Sequence, residues 1–362
     1  METLQKKYNI IYICDKKYVF PTIISIRSLI KYSENKNIVV LVIGVEINEQ
    51  DKKKIEGLSN ANVLVNVFIQ NDNLNSIGND HPYVSKAALY KFKIAELFPE
   101  IDKALYVDSD VIFCENYLSI FEYDLSNQYM AAVRDINIEF NLKRAGKFNH
   151  EHYYNSGVML LNFIKIRKDN CTQKLIDYKK NDTEKLFMDQ DAINSVFGDN
   201  AIQLSPKYNY LAILPSIFSL QEISKLYNVS EEEMNSIIDN PCIIHFAGGL
   251  KPWDSILSDT LEKWIYMMDD DELMLIIRSY LASIKNVFTE MKQNVNFVEF
   301  QNNEARLRID NLESQNYEAN MRIANLEKII DTLSTFTNKI YRHSLRGMLS
   351  IFVKKMILRK KI

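Results

Sequence analysis

The sequence predicts an α/β fold in which a mostly parallel sheet is covered by helices on both faces. Two observations predict it: short continuous apolar runs rich in β-branched residues, and amphipathic segments with helical spacing between those runs. Continuous rather than alternating runs are typical of strands buried on both faces, as in parallel sheets. The 362 residues, 47% hydrophobic and 25% charged, suffice for one large domain and an appendage.

The first part of the chain is predicted to form strand–helix units. Residues 9–14 form a run of Ile and Tyr that predicts a strand, and residues 20–32 follow it with helical spacing. Residues 38–45 and 63–69 are further apolar runs, separated by a helical segment at 49–58. This succession predicts a Rossmann-like nucleotide-binding half.

A further helical segment, residues 84–98, leads into KALYVDSDVIF, residues 103–113, whose apolar start predicts a fourth strand. Asp108 and Asp110 follow it, at the end where open α/β sheets place their ligands. Two carboxylates one residue apart can converge on one hard cation and leave coordination sites for phosphate oxygens. The same pattern is also typical of a capped strand end that leads into a turn.

Glycine is missing where a dinucleotide-binding loop would need it. The first predicted strand runs into CDKKYVF, residues 14–20, which offers neither a Gly-rich pyrophosphate turn nor a Walker A loop. Phosphate charge would then be neutralised in another way. A cation held by Asp108 and Asp110 would do so.

Two later segments combine predicted strands or helices with polar residues. YYNSGVMLLN, residues 153–162, is a predicted strand with an Asn-Ser-Gly interruption, which often marks close approach of backbone or ligand. Residues 163–180 predict a helix. MDQDAINSVF, residues 188–197, begins another helix with acidic residues in its first turn, where such residues also act as partners of the helix dipole.

The segment from 242 to 253 combines a histidine with glycines and a lysine. Residues 242–245 predict a short strand that ends at His245, a place where histidines are usually structural. An imidazole can, however, complete a site with two carboxylates. Gly248, Gly249 and Lys251 could bring backbone amides and an ammonium group to a phosphate.

From about residue 9 to residue 253 the chain resembles glycosyltransferase family 8, retaining enzymes that include bacterial lipopolysaccharide galactosyl- and glucosyltransferases and glycogenin. The matching segments occur in the family's order: YICDKKY, LYKFKIAELFPEIDKALYVDSDVIF, YYNSGVMLLN, MDQDAIN and HFAGGLKPW. The last, a His-x-x-Gly-x-x-Lys-Pro-Trp pattern, is far more specific than Asp-x-Asp. The resemblance implies a GT-A fold and Mn²⁺-dependent transfer of glucose or galactose from a UDP-sugar. The acceptor would be a glycan, glycolipid or glycoprotein, in cell-envelope polysaccharide or lipopolysaccharide synthesis.

The resemblance also implies a role for each matching residue at the cation and the phosphates. Asp108, Asp110 and His245 match the residues that bind Mn²⁺, with Mg²⁺ as the alternative ion, and the ion bridges the two phosphates of the UDP-sugar. Lys251 matches the lysine that contacts the pyrophosphate near the leaving oxygen, and Gly248 matches the glycine beside it.

The remaining matches concern the base and the sugar. Asp15 matches the position that contacts the nucleotide base. The positions that hold the donor sugar or face the reacting carbon are Lys91, Asp135, Asn155, Asp189 and Gln190. Many bacterial members carry arginine at position 91, so the orientation of the sugar is expected to differ here.

Retention requires two inversions or attack on the face that UDP leaves. The sequence offers no clear carboxylate nucleophile, because Gln190 is a poor one and Asp135 or Asp189 could equally bind sugar hydroxyls. We expect same-face transfer through an oxocarbenium-like state.

Four segments are expected in sequence: a catalytic domain at 1–255, a helical extension at 256–295, a coiled coil at 296–338 and a basic amphipathic tail at 339–362. The coiled coil rests on a heptad pattern with alternating spacings of three and four: Ile309, Leu312, Asn316, Ala319, Ile323, Leu326, Ile330 and Leu333. It predicts a homo-oligomer, and a single long helix packed on the catalytic domain is the alternative.

Residues 332–362 carry eight Lys or Arg and no Asp or Glu, interleaved with apolar residues. This pattern favours a helix that lies on an anionic membrane surface; a solubilising tail is the alternative. A nucleic-acid partner is not expected, because the basic charge is confined to one terminus. The N-terminus lacks the apolar core of a signal peptide, and no uncharged apolar stretch of spanning length occurs. We therefore expect a cytoplasmic protein, peripheral on the inner face of the cell membrane.

Two other functions remain as alternatives. One is a metal-dependent phosphohydrolase with Asp108 as nucleophile, which would leave HFAGGLKPW unexplained. The other is a catalytically inactive coiled-coil scaffold, against which the intact set of Asp108, Asp110, His245 and Lys251 argues.

Overall fold

A computed structural model describes residues 7–34, 36–70, 90–145, 150–181, 189–249, 251–253 and 261–310, with short stretches between 324 and 335. The chain divides into two compact units, Met1–Lys251 and Pro252–Ile362. Seven of the eight predicted heptad core positions, all except Ile309, and all of the basic tail lie outside the described residues.

Strands of the first unit form two sheets. In chain order they are β1 Tyr8–Asp15, β2 Ile38–Val45, β3 Val63–Gln70, β4 Lys103–Val107, β5 Val111–Phe113, β6 Met130–Arg134, β7 Tyr154–Asn162, β8 Ala201–Gln203, β9 Tyr210–Leu211 and β10 Ile243–His245. Within the described residues, the larger sheet has the order β3-β2-β1-β4-β7-β6-β8, and the smaller has the order β5-β10-β9.

The larger sheet is mostly parallel, as the continuous apolar runs predict. β1 pairs in parallel with β2 and β4, β2 pairs in parallel with β3, and β6 pairs in parallel with β8. β7 is the exception, since it runs antiparallel to both β4 and β6. Its beginning therefore lies at the same edge as the carboxyl ends of β1, β4 and β6.

Helices connect the strands of the first unit. They are α1 Val19–Lys31, α2 Glu49–Glu56, α3 Ile94–Leu97, α4 Ile136–Arg144, α5 Phe163–Lys168, α6 Cys171–Asn181, α7 Gln190–Phe197, α8 Leu214–Ile217, α9 Leu220–Tyr227 and α10 Glu231–Asp239. Short 3₁₀ helices span Leu118–Glu122, Gly198–Asn200 and Pro206–Tyr208.

The core lies on both faces of the larger sheet. On one face, buried side chains of β1, β4 and β7 such as Ile11, Tyr106 and Met159 belong to one hydrophobic cluster with residues of α5, α6 and α7. On the other face, Tyr12 is fully buried and its hydroxyl lies 3.0 Å from that of Ser25 on α1. Helices on both faces confirm the predicted α/β class.

Two predicted helices differ from the structure. The described part of the segment predicted at 84–98 contains only the one-turn α3, preceded by a 3₁₀ turn, and residues 84–89 lie outside the described residues. Tyr90, Lys91 and Phe92 are all buried, and an isolated amphipathic helix does not bury three consecutive side chains. The helix predicted at 163–180 is two helices, because Asn170 adopts a φ of 52° between α5 and α6.

The second unit is helical where it is described, with α11 Leu261–Ile265 and α12 Asp270–Asp310. Trp264 is buried, and Trp253 lies against it with ring centroids 5.7 Å apart. Among the described helices, none is both long and apolar enough to cross a membrane.

Candidate active site

The structure brings the three predicted metal ligands together. Asp108 follows β4, Asp110 precedes β5, and His245 ends β10. The antiparallel pairing of β10 with β5 sets His245 opposite Val111, beside Asp110. His245 Nε2 lies 3.3 Å from Asp110 Oδ1 and 4.0 Å from Asp108 Oδ2, and one ligand atom from each residue lies within 4.8 Å of the others.

The donor set fits a divalent cation. Two carboxylates supply hard oxygen ligands of the kind that Mg²⁺ and Mn²⁺ prefer, and one imidazole adds a nitrogen. Asp110 and His245 are buried, at 8% and 3% exposure, so few water molecules compete with a cation for their ligand atoms. Three protein ligands would leave coordination positions open for a substrate.

Gly157 makes room for this cluster. A Cβ at this position would overlap the His245 ring and would lie 2.9 Å from Asp108 Oδ2. The carbonyl oxygen of Gly157 also accepts the backbone N–H of Asp108 at 2.7 Å. The glycine of the Asn-Ser-Gly interruption therefore marks a close approach, as its place in a predicted strand indicates.

Lys251 lies directly beside the cluster. Its Nζ is 2.5 Å from Asp110 Oδ2 and donates to the carbonyl oxygen of Phe246 at 2.7 Å. Burial alone would raise the pKa of Asp110, but the ammonium charge of Lys251 and the contact with His245 outweigh burial and hold that pKa far below its ordinary value. Asp110 is therefore ionised at neutral pH.

A second lysine neutralises Asp108 from the sugar side of the predicted site. Lys91 Nζ lies 3.0 Å from Asp108 Oδ1 and 2.6 Å from Asp189 Oδ2. Burial alone would lower the pKa of Lys91, but Asp108 and Asp189 raise it above the ordinary value. The predicted sugar-binding lysine is therefore a charged bridge between two carboxylates.

Asp135 is held on both of its carboxylate oxygens. Oδ1 accepts the N–H of Ile138 at 3.1 Å and so caps α4. Oδ2 accepts from Asn155 Nδ2 at 3.0 Å and from Gln190 Nε2 at 3.1 Å. The structure thus joins three predicted sugar-site residues in one buried network.

Ser156 connects this network to the Lys91 pair. Its backbone N–H donates to Gln190 Oε1 at 3.0 Å, and its hydroxyl donates to Asp189 Oδ2 at 2.9 Å. Both the oxygen and the nitrogen of the Gln190 amide therefore form hydrogen bonds. Asp189 accepts from the Ser156 hydroxyl and pairs with the Lys91 ammonium group.

Asp15 and Gly248 have more local roles in the structure. Asp15 Oδ1 accepts the N–H groups of Lys17 and Tyr18 at 2.9 and 3.1 Å, so these hydrogen bonds lie within its own turn. Gly248 has a φ of +93°, a conformation that residues with a Cβ rarely adopt.

Besides Ser156, three residues of the described site were not predicted from the sequence. Tyr106 donates to Asp108 Oδ1 at 2.6 Å, and the strand period of two would have placed it on the same face as Asp108. Ser109 accepts from Thr22 at 2.7 Å and donates to the Ile13 carbonyl at 3.2 Å, which fixes the acidic turn against β1 and α1.

The third is Asn209, which is fully buried between His245 and Asn155. Its Oδ1 lies 3.0 Å from His245 Nδ1, and its Nδ2 donates to Asn155 Oδ1 at 2.9 Å. A single asparagine in the sequence PKYNYL belongs to no motif or periodic pattern, so the sequence carried no signal for it.

Comparisons with known proteins agree on one family. The family model described as "Glycosyl transferase family 8" matches residues 9–257. General stress protein A of Bacillus subtilis is 28% identical over 233 residues, which are 63% of this chain and 80% of that protein. Lipopolysaccharide 1,3-galactosyltransferase of Salmonella typhimurium is 25% identical over 261 residues, which are 69% of this chain and 74% of that protein. Glycosyltransferase GlyA of Streptococcus pneumoniae is 26% identical, and the match spans only 32% of its length.

Solved structures show the same fold. The galactosyltransferase LgtC in complex with donor and acceptor sugar analogues has a TM-score of 0.60 at 18% identity, over 74% of this chain and 99% of that chain. The apo WbbM bifunctional glycosyltransferase has a TM-score of 0.63 at 20% identity, over 77% of this chain and 52% of that chain. The fold is therefore that of GT-A glycosyltransferases. The family model matches more than half of this chain, and the chain therefore belongs to glycosyl transferase family 8.

Proposed function

We propose that this glycosyltransferase moves a hexose, glucose or galactose, from a UDP-sugar to a glycan, glycolipid or glycoprotein acceptor with retention of configuration and with Mn²⁺ as cofactor. The observation that carries the proposal is the convergence of Asp108, Asp110 and His245 beside Lys251. The relatives lipopolysaccharide 1,3-galactosyltransferase and lipopolysaccharide glucosyltransferase WaaO support a role in cell-envelope polysaccharide or lipopolysaccharide synthesis.

The proposed cation is Mn²⁺, or Mg²⁺ as the alternative, held by Asp108, Asp110 and His245. Such a cation, when bound, supplies Lewis-acid neutralisation of the diphosphate. Lys251 adds an ammonium charge at the same place, where negative charge develops on the leaving UDP. Gly248 adopts a φ of +93°, and the lack of a Cβ there suits a backbone that approaches the pyrophosphate.

The carboxylates on the sugar side are proposed to position the donor rather than to attack it. Asp135 accepts hydrogen bonds on both oxygens, and Asp189 is paired with Lys91 and Ser156. Gln190 is an amide and a poor nucleophile. Since each of these groups is already engaged, same-face attack by the acceptor hydroxyl through an oxocarbenium-like state is the preferred route.

The acceptor is proposed to bind in a cavity beside Arg134. A cavity of about 440 Å³ opens next to the end of β6 and contains charged and aromatic groups suited to sugar hydroxyls and faces. Its lining includes Arg134, Glu151, His152, Tyr227 and Glu233. Glu233→Ala should then raise the KM for the acceptor and leave hydrolysis of the donor unchanged, whereas an effect on donor hydrolysis alone would argue against this placement.

The chain is proposed to consist of four consecutive segments. The compact division after Lys251 supports a catalytic domain at 1–255, followed by an extension at 256–295, a coiled coil at 296–338 and a membrane-associating tail at 339–362. α12 continues across the proposed boundary at 295, so the extension and the coiled coil would share one helix.

The proposed location is the inner face of the cell membrane. Absence of co-sedimentation with anionic liposomes at low salt would remove this claim.

Released UDP tests the activity. The full chain is incubated with a panel of UDP-sugars and Mn²⁺, and UDP release is followed with and without a chelator. We expect release from UDP-glucose or UDP-galactose that stops with chelation and returns with added Mn²⁺. Release of phosphate from simple phosphoesters would instead indicate a phosphohydrolase, and no release from any UDP-sugar would indicate an inactive scaffold.

A further inference from the structure

Asn209 lies between the proposed cation site and the proposed sugar site. It precedes β9, directly after the 3₁₀ helix Pro206–Tyr208, and its side chain is fully buried. It contacts His245 through Oδ1 and Asn155 through Nδ2. Because a fully buried amide has no water to take over a lost hydrogen bond, the direction of each hydrogen bond matters.

The orientation of the Asn155 side-chain amide is fixed by its hydrogen-bond partners. Asn155 Oδ1 accepts the backbone N–H of Gly157 at 2.9 Å, and a backbone amide can only donate. The other end of the same amide, Asn155 Nδ2, donates to Asp135 Oδ2 at 3.0 Å. Asn155 must therefore present its oxygen to Asn209.

The orientation of the Asn209 amide follows from that of the Asn155 amide. Asn209 must direct its NH₂ group at Asn155 Oδ1, because the reversed amide would place two oxygens in contact. Its oxygen is thereby directed at His245 Nδ1, which must carry a hydrogen to complete the bond. In the neutral imidazole the lone pair then lies on Nε2, the nitrogen that faces Asp108 and Asp110.

We infer that Asn209 is a positioning residue that fixes the Nδ1–H tautomer and the ring orientation of His245, and that links this ring to the Asp135–Asn155 pair. The inference rests on the proposed function for the identity of the cation. The tautomer itself follows from the hydrogen-bond network alone. Partners of this kind are general in metal sites, where the second nitrogen of a ligating histidine is held by an acceptor.

The ring is confined on its other side by Gly157. A side chain there would overlap the imidazole, with a Cβ only 2.8 Å from Nδ1. The ring therefore fits closely between a backbone without a Cβ and the amide of Asn209. Loss of the amide would leave a buried N–H without an acceptor and free the ring to select the other tautomer.

The test observes the tautomer directly, in protein without added metal. Long-range ¹H–¹⁵N correlation spectra of histidine-labelled full chain distinguish Nδ1–H from Nε2–H, and His245→Gln assigns the signal among the five histidines. We expect His245 to show Nδ1–H in the wild type and to lose it in Asn209→Ala. Mn²⁺ affinity of Asn209→Ala, measured by electron paramagnetic resonance, should fall about 10–100-fold.

Two further variants separate the loss of the acceptor for His245 from the loss of a buried asparagine. Asn209→Asp retains an acceptor for His245 but not the donor to Asn155, and should keep the Nδ1–H signal and bind Mn²⁺ more tightly than Asn209→Ala. Asn194→Ala removes another buried asparagine, which holds the backbone of Tyr154, and should leave the His245 signal unchanged. Circular dichroism and the Tm confirm that each variant is folded.

Two results would overturn the inference: an Nδ1–H signal and Mn²⁺ affinity unchanged in Asn209→Ala, or an Nε2–H signal without Nδ1–H in Asn209→Asp. Neither measurement uses a UDP-sugar. A wild type that shows the expected tautomer but releases no UDP would refute the proposed function and leave the role of Asn209 intact.

Discussion

Lys251 Nζ lies 2.5 Å from Asp110 Oδ2, so the lysine proposed to contact the pyrophosphate shares a carboxylate with the proposed cation site. The same ammonium donates to the Phe246 carbonyl, which holds it at the end of β10. Both residues are largely buried, so their charges are screened little by water. The lysine and a divalent cation therefore interact through one group, and this coupling can be measured.

Lys251→Met is expected to bind Mn²⁺ more tightly than the wild type and to turn over UDP-sugar more slowly. The affinity should rise about tenfold, because a hydrogen bond between charged groups, worth about 1.5–3 kcal/mol, no longer competes for Asp110. Isothermal titration with Mn²⁺ alone measures the first effect and UDP release the second. Lys225→Met, on the exposed face of α9, is the control. Weaker Mn²⁺ binding in Lys251→Met would show that the two cations do not compete.

Gly157→Ala is expected to abolish Mn²⁺ binding in a protein that still folds. The added methyl group overlaps the His245 ring and crowds Asp108, and such overpacking destabilises by about 1–3 kcal/mol. Gly198→Ala is the matched control, since its Cβ would meet only one side-chain atom, at 4.0 Å. The measurements are Mn²⁺ titration and thermal unfolding. Normal Mn²⁺ affinity in Gly157→Ala would show that His245 does not need this space.

Glu139→Gln is expected to lower the free energy of unfolding at neutral pH and to have a smaller effect in acid. Glu139 is buried, accepts from Arg134 at 2.7 and 3.0 Å, and pairs with Lys143 at 2.8 Å. Burial raises its pKa, but these partners outweigh burial and lower it below the ordinary value.

The sign of the pH dependence follows from that lowered pKa. The stabilisation is complete above the unfolded pKa of about 4.3 and is lost as pH falls through the lower folded pKa. At pH 7 the loss in Glu139→Gln should be about 3 kcal/mol, as for a buried pair deprived of one partner. Urea unfolding at pH 7 and near pH 3.5 measures both values, with exposed Glu100→Gln as the control. A difference that does not shrink in acid would contradict the ion pair.

Leu326→Lys is expected to dissociate the proposed coiled coil. Leu326 is a core position of the predicted heptads, whereas Lys328 is not, so Lys328→Gln is the matched control. Light scattering of the full chain should give a lower oligomeric state for Leu326→Lys only. The same state in all three proteins would exclude assembly through the heptads.

The central sheet could be predicted from the sequence because burial on both faces leaves continuous apolar runs. β1 to β4 lie where those runs are. The antiparallel direction of β7 could not be predicted in this way, since a buried strand of either direction has the same composition. The break at Asn170 depends on a left-handed residue whose signal, Asp-Asn, was too weak within an amphipathic pattern.

The candidate site was predictable where motifs mark it and not where hydrogen bonds alone define it. Asp108, Asp110 and His245 lie in segments that resemble family motifs, and the structure places them together. Asn209 is recognisable only from the two side chains it joins, which are distant in sequence. Buried amides of this kind are selected by geometry, so a single sequence does not mark them.

The proposed metal site is tested by UDP release from Asp110→Asn in the presence of Mn²⁺. The substitution keeps the shape of the side chain and removes the charge shared by the proposed cation, His245 and Lys251. We predict a loss of more than about 100-fold, greater than the effect of losing a group that only supports a ligand, while exposed Asp102→Asn stays active. Turnover by Asp110→Asn equal to that of the wild type would contradict the proposed metal site.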